Sequence, residues 1–234
     1  MASAKLHIEG ADARPSIIKH YLDFIDRRDY EDLDDVMQDI YRETGLDVAN
    51  TKNMLTTLAK LGVVKQDNRQ QLTDIGRGLV EVLLYNDQLF YELFHFIYST
   101  AYHRDPSQDR AVSWSYYHIS ADLRNRAPVN FSDTRQSVVE AVMEKADESS
   151  DPALENHGPL SRNSLNNYRR FTEQLEPEVF NDGEFTLRTL AKKELVLMAV
   201  DHLYQTGVVS DTVGYGDLLL LDDETEEVLS NILL

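Results

Sequence analysis

Apolar residues in the first third of the chain recur every three or four positions, which is the spacing of amphipathic helices. The pattern predicts a helix from Pro15, a second helix over 31–44 and a third over 47–61. Gly45 and Gly62 follow the second and third helices, where a residue without a side chain readily ends a helix. Two short apolar runs around a polar turn then predict a β-hairpin, and a fourth helical pattern follows it. The predicted fold class is therefore mainly α.

Two motifs in this region resemble a known family. LAKLGVV at residues 58–64 and LTDIGRGL at residues 72–79 resemble the recognition helix and wing of winged helix-turn-helix DNA-binding proteins. The resemblance covers residues 14–84 of the 234. It implies a winged-helix domain whose third helix enters the major groove of DNA and whose hairpin contacts the DNA backbone.

The distribution of charge agrees with DNA binding by this segment. The chain carries a net charge of −18, and nine acidic residues against three arginines give −6 between Asp23 and Glu43. Residues 47–72 carry two acidic and four basic residues, a net charge of +2, which suits contact with phosphates. The alternative is an ordinary solvated polar face. The predicted DNA contacts in this half are Asn50, Lys52, Asn53, Thr56, Thr57, Lys60, Lys65 and Arg69.

The second half repeats the order of elements without convincing identity of residues. Helical patterns cover 112–125, 133–147 and 161–175, and Asp182-Gly183 is typical of the two-residue turn of a hairpin. The predicted third helix is again locally basic. Its predicted DNA contacts are Arg162, Asn163, Asn166, Arg169 and Arg170. A second winged-helix-like domain and a generic helical domain are both compatible with this pattern.

The predicted organisation has four parts: a flexible arm (1–13), the winged helix (14–84), aromatic-rich connecting helices with a linker (85–110), and the C-terminal helical or winged-helix-like domain (111–234). Ten of the 21 aromatic residues fall between Tyr85 and Tyr117. We interpret that region as a core joining the halves or as the interface of a homodimer or protein partner. A stacking pocket for an extruded base is the other interpretation.

Candidate chemistry is scarce. The chain has no cysteine, which excludes disulfides, thiol catalysis and thiolate metal sites. The seven histidines show no close metal-ligand spacing, and no catalytic motif is recognised. We expect a non-enzymatic protein without metal or cofactor. With no apolar run of transmembrane length and no signal peptide, we expect a cytoplasmic location.

Composition adds one expectation about the environment of the protein. Aspartate outnumbers glutamate 24 to 17, and only 8 of the 23 basic residues are lysines. This bias resembles that of haloarchaeal proteins. The expected function is binding of double-stranded DNA, as a transcriptional regulator or as an accessory factor of a DNA-modification or phage-defence system. The alternatives are a tandem winged-helix interaction scaffold of the chromosome-condensing type, by analogy of architecture, and a ligand-sensing repressor.

Overall fold

The first half of the chain forms the helices that its apolar periodicity predicts. A computed structural model describes residues 4–8, 15–45, 52–68, 70–205 and 223–234. The first four helices are α1 (Pro15–Arg27), α2 (Leu33–Thr44), α3 (Lys52–Lys60) and α4 (Asp74–Tyr85). Gly45 and Gly62 have φ angles of 71° and 74°, so both predicted helix ends adopt the left-handed backbone that favours glycine.

In place of the predicted first hairpin, the connection between α3 and α4 contains a single β-bridge. One bridge joins Val64 to Leu72, and the backbone N–H of Lys65 donates to the carbonyl of Gln71 at 2.9 Å. The side chain of Thr73 then caps α4 by accepting a hydrogen bond from the backbone N–H of Gly76. This turn therefore holds the start of α4 directly against the end of α3.

Gly76 and Gly78 both lie near the start of α4, but their environments differ. The same substitution at the two positions therefore forms a matched pair. A Cβ at Gly76 would lie 2.2 Å from the carbonyl oxygen of Val63, whereas a Cβ at Gly78 would meet nothing within 4 Å. We expect Gly76→Ala to lower the free energy of unfolding by about 1–3 kcal/mol, because the backbone of the turn has to move. Gly78→Ala should raise it by about 0.5–1 kcal/mol through helix propensity. Urea denaturation followed by circular dichroism measures both, and equal effects would contradict the close contact.

The centre of the molecule is a pair of helices packed side by side, α5 (Asp87–Arg104) and α6 (Ala111–Arg126). A short 3-10 helix, Gln108–Arg110, lies in the connection where the sequence predicted a linker. Asn86 separates α4 from α5, and its side chain caps α5 by accepting hydrogen bonds from two backbone N–H groups. The rings of Tyr98 and Tyr116 stack across the pair with 4.3 Å between centroids. The aromatic-rich segment therefore forms the core between the two halves.

This burial favours one of the two interpretations of residues 85–117, a core within the chain, over an interface for a second copy or another protein. Eight of the ten aromatic side chains in that range are buried within the chain itself, namely Phe90, Phe94, Phe96, Tyr98, Tyr102, Trp114, Tyr116 and Tyr117. The other two are Tyr91, which is partly exposed, and Tyr85, which is 88% exposed beside Leu84 at 70%.

The second half contains the remaining helices and a small sheet. The helices are α7 (Phe131–Glu148), α8 (Arg162–Thr172), α9 (Lys193–Gln205) and α10 (Asp223–Leu233), and the strands are β1 (Val129–Asn130), β2 (Phe180–Asn181) and β3 (Glu184–Phe185). The sheet is antiparallel with the order β1-β3-β2. Asp182 and Gly183 have φ angles of 49° and 84°, which confirms the predicted two-residue hairpin turn. The side chain of Asn130 caps α7 by accepting hydrogen bonds from the backbone N–H groups of Ser132 and Asp133.

Part of the segment predicted to be a flexible arm is packed against the second half. In this strap, residues 4–8, the side chains of Ala4, Leu6 and Ile8 are buried. The backbone N–H of Ile8 donates to Ser164 Oγ at 3.2 Å, and the amide of Asn167 donates to the carbonyl of Ile8 at 2.8 Å. The alternation of apolar residues at every second position gives the strap one buried face, and it fastens the N-terminus to α8.

Buried residues of both halves form one continuous core. Within it, Arg188 Nη1 donates to both carboxylate oxygens of Glu92 at 2.9 Å, and Arg188 Nε donates to the carbonyl of Leu233 at 2.6 Å. This pair connects α5 to the chain after β3 and to the end of α10. Within the parts of the chain that the structure describes, none of the helices is long and apolar enough to cross a bilayer.

Candidate nucleic-acid interface

The five residues predicted to contact DNA in the second half lie on a single helix, α8. Successive residues of an α-helix are rotated by about 100° around its axis. This rotation places five residues on one face of α8, namely Arg162, Asn163, Asn166, Arg169 and Arg170. The opposite face is buried and includes Leu165, Tyr168 and Phe171. Burial of that apolar face fixes the helix and leaves the basic and amide side chains on the outside. We refer to the five residues as the α8 face.

Helix α7 packs beside α8 and places two further polar side chains, Arg135 and Gln136, next to the α8 face. Arg162 Nε donates to Gln136 Oε1 at 2.5 Å, and Arg135 Nη1 donates to Asn166 Oδ1 at 2.9 Å. Sequence reasoning missed Arg135 and Gln136. The available signal was that Arg135 is the only charged residue between Asp133 and Glu140. These contacts hold two of the predicted side chains in fixed positions.

The members of the α8 face are not equally available to a ligand. Arg162, Asn163 and Arg170 are exposed, while Asn166 and Arg169 are partly buried. The guanidinium of Arg169 lies over the rings of Phe131 and Phe180, at 5.8 and 5.3 Å from their centroids. It also pairs with Glu173 at 2.5 Å. Arg169 therefore joins α8 to the sheet, and Arg162 and Arg170 are the stronger candidates for contact with phosphate.

The hairpin beside α8 has the opposite charge. Glu178, Asp182 and Glu184 are all exposed, and residues 177–186 contain no basic residue. Carboxylates at the tip of the hairpin repel phosphate, so this hairpin is unsuited to the backbone contact that the wing resemblance implies. The basic side chains of α8 and the adjoining part of α7 therefore have no counterpart on this hairpin.

The contacts predicted in the first half are not brought together in the same way. Asn50 and Arg69 lie outside the described residues, and the side chains of Lys52 and Asn53 are not described. Thr57 is 2% exposed, so its predicted contact with DNA is wrong. Thr56 and Lys60 are partly exposed, and both interact with other residues.

Among the first-half candidates whose side chains the structure describes, Lys65 is the exposed one. Its Nζ donates to Gln71 Oε1 at 2.8 Å. Asp26 and Asp29 line the same shallow cavity, of about 230 Å³. Arg77 lines it as well, so two acidic and two basic side chains face this cavity and its lining has no net positive charge.

Other chemistry of the described residues is limited. They contain no group of three or more His, Asp or Glu side chains arranged to hold a metal ion. A cavity of about 380 Å³ lies beside the loop between α7 and α8, and its lining includes Asp147, Asp151, Glu155 and His157. Its acidic lining is unsuited to phosphate, and one lining residue, Asp151, accepts a hydrogen bond from the Tyr102 hydroxyl of α5 at 2.6 Å.

Comparisons with family models, with curated proteins and with solved structures give no match. A proposal for the function therefore depends on the residues and geometry of this chain.

Proposed function

We propose that this protein is a tandem winged-helix protein that binds double-stranded DNA through the α8 face. The order of three helices, a hairpin and a further helix, on which the family resemblance depends, occurs in the second half, and the first half has the four helices with a single bridge, Val64 to Leu72, in place of the hairpin. In the second half it is α6, α7, α8, the β2–β3 hairpin and α9, with β1 added to the sheet. The position of α8 immediately before the hairpin is that of a recognition helix.

The observation that carries the proposal is the composition of the α8 face. It combines exposed arginines with asparagines and has no acidic residue before Glu173, in a chain whose net charge is −18. Arginine donates to phosphate and to the base edge of guanine, and asparagine pairs with adenine in the major groove. An acidic protein that excludes carboxylates from one helix face leaves that face able to approach a polyanion.

The acidic hairpin limits the orientations in which the protein can bind DNA. Asp182 and Glu184 are exposed at its tip and must point away from the phosphates. Contact then involves α8 together with Arg135 and Gln136 of α7. In this role the protein acts as a transcriptional regulator or as an accessory factor of a DNA-modifying or defence system.

Fluorescence anisotropy with a labelled duplex of about 30 base pairs tests the proposal. We expect Arg162→Gln/Arg170→Gln to weaken binding at least about tenfold, because two charge-assisted contacts are lost. The matched control is Arg27→Gln/Arg42→Gln, which removes the same charge from exposed arginines of α1 and α2. The control should bind within about twofold of the unmodified protein, since distant surface charges are screened.

Circular dichroism in each binding buffer shows whether the protein is folded, which matters because the composition resembles that of proteins adapted to high salt. Equal losses in both double variants would assign the binding to net charge alone. Absence of binding by the folded protein to any duplex at low salt would contradict DNA binding and favour the interaction-scaffold alternative.

A further inference from the structure

A second group of basic side chains lies inside the molecule, away from the α8 face. It consists of His103 and Arg104 at the end of α5, His118 on α6 and His202 on α9, which we call the internal basic cluster. The ring of Tyr117 lies between two of them, 4.5 Å from the ring of His103 and 5.1 Å from the ring of His118. Trp114 lies 4.1 Å from His118. Two aromatic rings thus contact the histidines of the cluster that lie on α5 and α6.

Several hydrogen-bonding atoms of this cluster are buried and have no partner among the described residues. They are Arg104 Nε and Nη2, His103 Nε2 and His118 Nδ1. A buried guanidinium without a hydrogen-bond acceptor is costly, because it loses its hydration and gains nothing in return. The side chains of His103 and Arg104 are partly exposed, so the rim of the cluster is open to solvent.

The electrostatic surroundings of the cluster are mainly positive. Burial, followed by the charges of Lys145 and His103, lowers the pKa of His118 to about 3. Burial and the charge of Arg110 lower the pKa of Arg104. Arg110 is itself paired with Asp105 at 3.0 Å. Arg104 has no such carboxylate, so its charge is uncompensated within the cluster.

We propose that the internal basic cluster binds an oxyanion, the carboxylate or phosphate group of a small ligand. Nε and Nη2 of one guanidinium form a planar fork that matches two oxygens of such a group. A neutral imidazole carries one N–H, so His103 and His118 can each donate one more hydrogen bond. The site shares no residue with the α8 face, and its occupancy does not depend on DNA binding.

Isothermal titration calorimetry of the full chain tests the site, with inorganic phosphate and succinate titrated separately at constant ionic strength. We expect Arg104→Gln to weaken binding at least about tenfold, since both hydrogen bonds of the fork are lost. Arg104→Lys keeps the charge but lacks the fork and should also weaken binding. The matched control Arg42→Gln removes an exposed arginine of α2 and should leave the affinity unchanged, whereas Arg170→Gln reports whether the α8 face takes up the anion.

Imidazole NMR signals locate the bound anion. Those of His103 and His118 should shift on titration, and this readout applies even if Arg104→Gln fails to fold. Binding of phosphate alone, succinate alone or both supports the site and identifies the ligand class. Absence of binding to the folded chain would overturn the proposal, as would binding that Arg104→Gln and Arg104→Lys leave unchanged. A loss in Arg170→Gln alone would assign the anion to the α8 face instead.

Discussion

Replacement of Glu92 by alanine is expected to lower the free energy of unfolding by about 3–5 kcal/mol. The side chains of Glu92 and Arg188 are 0% and 1% exposed, so the substitution leaves a buried guanidinium without its carboxylate. The backbone N–H of Glu176 also loses its acceptor, which is Glu92 Oε1 at 3.0 Å. Urea denaturation, followed by the fluorescence of the single tryptophan, Trp114, measures the change.

An exposed ion pair provides the control for this prediction. Lys192 and Glu176 pair at 3.1 Å with side chains 35% and 57% exposed. Lys192→Gln should therefore change the free energy of unfolding by less than about 1 kcal/mol. A double variant, Glu92→Leu/Arg188→Met, should recover much of the stability that Glu92→Ala loses, because no charge is left buried. A loss below about 1 kcal/mol for Glu92→Ala would show that the pair does not hold the halves together.

Truncation of Leu6 to alanine is the second substitution with a large expected effect, a loss of about 2–5 kcal/mol. Leu6 is 0% exposed, at the centre of the strap against α8. The matched control is Leu84→Ala, since Leu84 is 70% exposed and should cost about 0.5 kcal/mol or less. Equal denaturation midpoints for the two variants would mean that the strap is not part of the folded core.

The sequence was sufficient to predict the helices because their apolar stripes are long and their ends carry clear signals. Gly45 and Gly62 end helices as expected, and Thr73 begins one. The β2–β3 hairpin was predicted from Asp182-Gly183, since few other residues tolerate the left-handed backbone of that turn. These signals are local, and each depends on a few adjacent residues.

Features that depend on distant parts of the chain were not predicted. Strand β1 has two residues, and Val129 pairs with Phe185, so neither its length nor its neighbours give a strand pattern. The strap has three apolar residues in alternation, which is too short to distinguish from a polar arm. Its burial depends on Ser164 and Asn167, far along the chain.

Residue type and local charge also do not show which side chains of the candidate site are exposed, because that depends on contacts with distant parts of the chain. Thr57 was assigned to the polar face of α3 from its residue type, but it lies three residues after Met54 and four before Leu61, on the buried stripe. Arg169 was predicted to contact DNA. Its contacts with Phe131 and Phe180 could not be predicted, because they depend on how the hairpin packs against α8. Local positive charge predicted the basic face of α8 but could not distinguish exposed arginines from structural ones.

The dependence of DNA affinity on salt tests the central claim, that the α8 face contacts phosphates. Each phosphate neutralised by a basic side chain contributes about −0.9 to the slope of log K against log salt concentration. Relative to the unmodified protein, the slope of Arg162→Gln/Arg170→Gln should be shallower by about 2, and the slope of Arg27→Gln/Arg42→Gln should be unchanged. Equal slopes for all three proteins would contradict the assignment of the DNA-binding surface to α8.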